Sequence, residues 1–250
     1  MKFKPAKKRL DLLLVERGIA ESVAKAQAMI LAGEVWMDET RAEKAGASVA
    51  DDAKIAVSSR AQKFVSRGGF KLEGALEDFA IDPRGNICLD IGSSTGGFTD
   101  CLLQRGAARI YAVDVNIDQM AWKLQQDQRV VRIERNAREL RRDDIPDAID
   151  LVVVDVSFIS AAKVLTPACA AAKPGAHLLI LVKPQFELPK DDVGTGGVVH
   201  DPALHEKAIE KIRAAALAND LEIVAVRASR LSGAEGNQEY FLHARKKVLG

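Results

Sequence analysis

The chain has 250 residues, 48% of them hydrophobic and 28% charged, and a formal net charge of +1. That balance belongs to a globular protein, neither disordered nor fibrous, and the length suits one ordinary α/β domain with a smaller unit attached. No apolar run approaches the ~20 residues that cross a bilayer, and Cys88, Cys101 and Cys169 form no C-x-x-C pair, so nothing points to a membrane protein, a disulfide framework or a bound metal.

The N-terminus is basic. Lys2, Lys4, Lys7, Lys8 and Arg9 come without an acidic neighbour, a pattern that suits an anionic partner such as nucleic acid. The apolar run that follows is interrupted by Asp11, Glu16 and Arg17, so the segment does not read as a signal peptide and a cytoplasmic protein is expected. RLDLLLVERGIAES has apolar residues at helical spacing and stops at Gly18. SVAKAQAMILAGE repeats the pattern, with Ser22 placed as N-cap and Gly33 as C-cap. VWMDETRAEKAGASVADDAKIAV then alternates and turns like a small sheet. Residues 1–57 are thus expected to form a small α+β domain, SSRAQKFVS at 58–66 a linker, and 67–250 a second domain.

The second domain opens with RGGFKLEGALEDFAI, in which Phe70, Leu72, Ala75, Leu76 and Phe79 mark an amphipathic helix. Strands are expected at NICLD, ARIYAVD, RVVRIE, IDLVVVD, AHLLILVK, LEIVAVRAS and EYFLHAR. Near-continuous apolar runs separated by helical segments predict a mostly parallel sheet covered on both faces. The last two strands have no room for a helix between them, so a hairpin should leave the final strand antiparallel.

The first of these strands runs into LDIGSSTGGFTD, residues 89–100. Its spacing, Asp90-x-Gly92-x-x-x-Gly96-Gly97, is not the G-x-G-x-x-G of a dinucleotide site, and a strand-end carboxylate at Asp90 would repel a pyrophosphate. The same carboxylate suits a ligand bearing an amino group and a sulfonium, which points to S-adenosylmethionine (SAM). Asp114, at the tip of the next strand, is placed to accept from ribose hydroxyls, and Asn136 to meet an adenine edge. Arg132, Arg135, Arg138, Arg141 and Arg142 form a basic run beside the site. Methyl transfer to a hydroxyl requires alignment of the acceptor and removal of its proton. Asp155 and Lys183 close two apolar strands, Lys71 lies on the first helix and Glu239 opens the last strand, so two lysines and two acids could converge over the reactive methyl. Rival readings are a nicotinamide dehydrogenase and a non-catalytic RNA-binding or assembly factor. The segment from Gly194 to Asp201 reads either as a lid over substrate or as a glycine-rich loop.

The ordered set Lys71, Asp155, Lys183 and Glu239, together with LDIGSSTGGFTD, resembles the Lys-Asp-Lys-Glu tetrad and cofactor motif of the FtsJ-type ribose 2′-O-methyltransferases. SRGGFKLEGALE, DVSFIS, VKPQFE, GGVVHDP and GNQEYF are similar to segments of the TlyA, or hemolysin A, family of rRNA cytidine-2′-O-methyltransferases. The first block resembles the small RNA-binding module named after small-subunit ribosomal protein four, with Ser22-Val23 where that module often carries Ser-Arg. The resemblance implies a Rossmann-like SAM-dependent methyltransferase domain behind an RNA-binding domain, with ribosomal RNA in ribosomal subunits as partner. It also implies roles: Lys183 deprotonates the 2′-hydroxyl, Lys71 positions the ribose, and Asp155 and Glu239 orient the lysines. The ending Lys246-Lys247-Val248-Leu249-Gly250, soon after the last strand, is similar to the shorter form of the family, which acts on the large subunit.

Overall fold

The computed structural model describes residues 7–31, 33–37, 40–42, 44–57, 63–194, 196–233 and 236–248. Lys2, Lys4, most of the expected linker (58–62) and Thr195 lie outside them. The chain divides into two compact units, residues 1–63 and 64–250.

In the first unit, strand β1 (Lys7–Arg9) leads into helix α1 (Leu10–Glu16), followed by α2 (Val23–Leu31), β2 (Val35–Met37), β3 (Thr40–Arg41), β4 (Ser48–Ala50) and β5 (Ile55–Val57). Leu10, Leu13 and Leu14 recur at i, i+3 and i+4 and are fully buried, packing against Ala26, Met29 and Ile30 of α2. Ser22 caps α2 by accepting from the Lys25 amide at 3.2 Å. β1 pairs antiparallel with β4, while β3, β2 and β5 make a three-stranded sheet. β1 was not expected, because basic residues mask its pairing pattern. The basic start is also partly neutralised: Lys8 pairs with Glu16 at 2.7 Å and Arg9 with the buried Asp11 at 2.7 Å. The Arg9 guanidinium, helped by the Gln27 amide, holds the Asp11 carboxyl down to about 2.

The second unit begins at Phe64, whose ring is buried in its core. Its elements are α3 (Arg67–Asp78), β6 (Ile87–Ile91), α4 (Gly97–Gln104), β7 (Arg109–Asp114), the short α5 (Trp122–Gln125), β8 (Val130–Glu134), β9 (Ile149–Val154), α6 (Ala162–Ala171), β10 (Ala172–Val182), α7 (Pro184–Glu187), α8 (Pro202–Leu217), β11 (Leu221–Ala228) and β12 (Tyr240–Lys246). The sheet runs β11-β12-β10-β9-β6-β7-β8. Alternate residues of one strand feed two cores. Leu89, Ile91, Val152 and Val154 meet Val164, Leu165, Ile209 and Ile212 of α6 and α8. Cys88, Leu151 and Val153 meet Leu72, Leu76, Phe98 and Leu102 of α3 and α4. Each such side chain contributes ~1.5 to 3 kcal/mol of transfer free energy, which is why both faces of the parallel strands are apolar.

Two features of this order place the site. The chain winds from β6 outward to β7 and β8, then returns to β9 on the other side, so the strand order switches between β6 and β9, where α/β sheets open a crevice at their carboxyl ends. The final strand is antiparallel, as expected from the hairpin, but it is inserted between β10 and β11 instead of lying outside them. Tyr240 therefore stands opposite Val182, and Glu239, just before β12, lies at the same end of the sheet as Lys183, which follows β10.

Candidate active site

Beyond β6 the chain turns at Gly92 (φ +85°) and Gly96 (φ +93°), and α4 starts at Gly97. A Cβ on Gly92 would lie 2.3 Å from the carbonyl oxygen of Asp155, so the close approach of the β6 and β9 ends requires glycine. At Gly96 the left-handed φ favours glycine, while the atom 2.3 Å from where a Cβ would be is the movable end of the Leu124 side chain. Asp114, the last residue of β7, braces this loop: its carboxylate accepts from the Ser94 amide at 2.9 Å, the Asn116 amide at 2.9 Å and Gln119 Nε2 at 3.3 Å.

The loop separates two adjoining cavities. One of about 350 Å³ is lined by Asp114, Val115, Gln119, Asn136, Ser157 and Phe158, among others. A smaller one of about 180 Å³ is lined by Arg67, Lys71, Ser93, Thr95, Phe98 and Ser232, among others. Gly92, Ser94 and Asp155 face both. Asn136 belongs to the larger cavity wall, but its side-chain oxygen is engaged in capping the following turn, accepting from the Arg138 amide at 3.2 Å.

Asp90 is placed differently from Asp114. It lines neither cavity and is fully buried beneath the loop, where the Thr99 hydroxyl donates to Oδ2 at 2.6 Å. Its other oxygen, Oδ1, has no partner among the described residues, and neither has the buried hydroxyl of Ser93. Burial pushes the Asp90 carboxyl up to about 7; the Thr99 hydrogen bond opposes this, and the nearby Asp155 and Asp114 charges reinforce it. Two unpartnered polar groups beside a glycine cradle fit a ligand that brings its own donors, such as the α-amino group of an amino acid.

The four residues expected to converge form two ion pairs. Lys71, on α3, pairs with Glu239, and both side chains are buried. The Glu239 carboxylate packs against Gly233, where a Cβ would come within 2.7 Å of Oε1. Lys183 Nζ lies 2.5 Å from Asp155 Oδ1, but off the axis of a hydrogen bond, which it gives instead to Ser157 Oγ at 2.9 Å. Through Lys71 and Asp155 both pairs reach the smaller cavity, and Asp155 carries the arrangement to the junction with the larger one. Such a junction can hold an acceptor hydroxyl between a cationic donor and a proton-accepting amine. Ser157, Thr99 and Ser93 escaped the sequence reading; the signal for Ser93 and Ser157 was their nearness to Asp90 and Asp155, while Thr99 lies nine residues beyond Asp90 and is brought to it by the turn into α4.

The glycine-rich segment considered as a lid is pinned at Val199. Asn237 accepts from the Val199 amide at 2.9 Å, and His205 Nε2 lies 2.8 Å from the Val199 carbonyl oxygen. Among the described residues, no group of three or more His, Cys, Asp or Glu could hold a metal, and no helix is long and apolar enough to cross a membrane.

A seven-stranded sheet with a switch point, an inserted antiparallel last strand and a glycine loop at that switch defines the Rossmann-like methyltransferase class. Residues 64–246 match the FtsJ-like methyltransferases, and the chain belongs to that family; residues 8–55 match the S4 domain. A relative from Mycobacterium tuberculosis, named 16S/23S rRNA (cytidine-2′-O)-methyltransferase TlyA, is 47% identical over 96% of this chain and 90% of its own. A Campylobacter jejuni relative, named 23S rRNA (cytidine-2′-O)-methyltransferase TlyA, is 34% identical over 72% of this chain and 70% of its own. A solved structure described as a candidate hemolysin from Streptococcus thermophilus superimposes with a TM-score of 0.76 at 35% identity, covering 98% of this chain and 90% of that one.

Proposed function

We propose that this protein transfers the methyl group of SAM to the 2′-hydroxyl of a cytidine in ribosomal RNA, acting in the cytoplasm on ribosomal subunits. The observation that carries the reading is the meeting of two lysine–carboxylate pairs at the junction of the two cavities, with Asp155 in both. The relatives' names support the acceptor, and the RNA common to both is that of the large subunit, to which the proposal commits.

SAM, when bound, supplies an electrophilic methyl on a good leaving group, so the protein's share is positioning and proton removal. Gly92 and Gly96 shape the floor of the cofactor site, Asp114 holds the ribose side, Asn136 offers its amide to the base, and the Asp90 charge beneath the loop attracts the amino group. Lys183 acts as the base in its neutral form, after losing its own proton to solvent: the amine takes the proton of the 2′-hydroxyl, and Asp155 stabilises the ammonium that forms. Lys71, held by Glu239, hydrogen-bonds the acceptor ribose. Residues 1–57 bind RNA, tied by the 58–66 segment to the methyl-transferring domain at 67–250.

The test is methyl incorporation from labelled SAM into purified small and large ribosomal subunits, with the labelled nucleoside mapped by nuclease digestion and mass spectrometry. Label at a cytidine 2′-oxygen of large-subunit RNA is expected. Absence of label from both subunits would sink the assignment, and label on the small subunit would sink the subunit choice alone.

A further inference from the structure

We infer that Glu187 positions Lys183 for proton transfer by clamping the loop after β9 to the turn after β10; the inference rests on the function proposed above. Parallel pairing of these strands stops at Val154 opposite Ile180, and β10 itself ends at Val182. Asp155 and Lys183 thus lie just past the last rungs of their ladder. Side chains alone can hold the two segments together there.

Among the described residues one ring contact, Phe158 with Phe186 at 5.3 Å between centroids, and three polar ties join them, and Lys183 makes two of the polar ties, to Asp155 and to Ser157. Glu187 makes the third. It closes α7, the single turn of helix that starts directly after Lys183, and it is almost completely buried. Its Oε1 accepts from the Ala161 amide at 2.7 Å, and its Oε2 accepts from the Ser160 hydroxyl. Lys211 of α8 approaches Oε2 at 3.2 Å, so the buried charge has a counter-ion. The carboxylate therefore spans from the Lys183 turn to the far end of the loop that carries Asp155 and Ser157. With both ends of the loop tied, the lysine has two fixed partners at once.

Glu187 lines neither cavity, so it reaches the reaction through what it ties: Lys183 on one side and, on the other, the loop whose residues 155–159 line the larger cavity. A lysine side chain has many staggered conformers. Loosening the loop releases its ammonium from the one conformer that contacts both Asp155 and Ser157, and misalignment of about 1 Å costs up to ~100-fold in rate.

The experiment measures single-turnover transfer to large subunits alongside the reactivity of Lys183 toward an amine-acylating reagent, read by peptide mass spectrometry. E187A is expected to slow transfer ~10- to 100-fold, with SAM affinity falling by much less than the rate and the half-saturating subunit concentration unchanged, and to make Lys183 acylate faster. E187Q, whose amide can accept from the Ala161 amide and donate to the Ser160 hydroxyl, should recover most of the rate. S160A, which keeps the Ala161 bond, should fall between them and serves if E187A does not fold. Wild-type transfer and wild-type Lys183 reactivity in E187A would overturn the inference, as would an E187Q protein as slow as E187A or a loss of SAM affinity equal to the loss of rate. If wild-type protein labels no RNA, the proposed function fails, and the Lys183 acylation rates alone decide the clamp.

Discussion

The two lysine–carboxylate pairs use the same charges in different settings. In the Lys71–Glu239 pair the carboxylate is sealed, its side chain 3% exposed against Gly233, and the lysine reaches the cavity. In the Lys183–Asp155 pair the carboxylate is the open partner, 20% exposed and facing both cavities, while the lysine behind it is 10% exposed and hydrogen-bonded to Ser157. The difference separates a pair that presents its cation to a cavity from one that presents its carboxylate to both, with the lysine behind it. Removing a member of the first should affect stability and rate together; removing Lys183 should affect rate alone.

The largest expected effect is that of Lys183→Ala, which should lower methyl transfer ~10²- to 10⁴-fold while SAM affinity stays within about twofold. Isothermal titration and single-turnover labelling measure the two; a substantial residual rate would remove Lys183 as the base. Glu239→Gln comes next. It leaves the largely buried Lys71 ammonium without its counter-charge, for which a cost of about 3 kcal/mol is expected, read as a lower thermal midpoint together with slower transfer. A Glu239→Gln protein as stable as wild type, slowed only in transfer, would erase the distinction between the pairs. Asp114→Ala should follow, weakening SAM binding by ~1.5 to 3 kcal/mol with no change in the rate at saturating cofactor. Unchanged affinity in calorimetry would take Asp114 out of the cofactor site.

Much of the second unit was legible because its strands are buried on both faces, so apolar runs such as LVVV and LLILV announce themselves regardless of tertiary context. The antiparallel direction of the last strand followed from the short connection before it. Its insertion between β10 and β11 did not, since pairing partners are chosen by packing between distant segments, and that choice is what brings Glu239 beside Lys183. The four tetrad residues could be selected, but which lysine takes which acid depends on the same insertion. Asp90 and Asp114 look alike in sequence, each at the end of an apolar strand. One residue separates them in effect: Asp114 closes β7, while Asp90 stands one place before the end of β6 and is buried beside Thr99. Glu187 and Ser160 were invisible because their link depends on two loops being neighbours in space.

The smallest expected effect is a pH dependence that tells these two acids apart. Asp90 has a carboxyl raised to about 7 from an ordinary 3.8, with burial the main cause. A carboxyl raised on folding keeps its proton in the folded state where the unfolded chain has lost it. Its contribution to stability is therefore present below about 4 and disappears as pH rises through 7. Cofactor-free protein should show a falling thermal midpoint between pH 6 and 7.5. The charged Asp90, with its unpartnered oxygen, is the form that attracts an amino group, so SAM affinity should rise over the same interval, by at most ~10-fold per pH unit. Asp90→Asn keeps an oxygen for the Thr99 hydroxyl but cannot ionise, and should flatten both slopes. Calorimetry and thermal melts on the two proteins decide it: a SAM affinity independent of pH in wild type, or a slope that survives in Asp90→Asn, would place the ligand's amino group elsewhere and leave Asp90 as a buried prop for the loop.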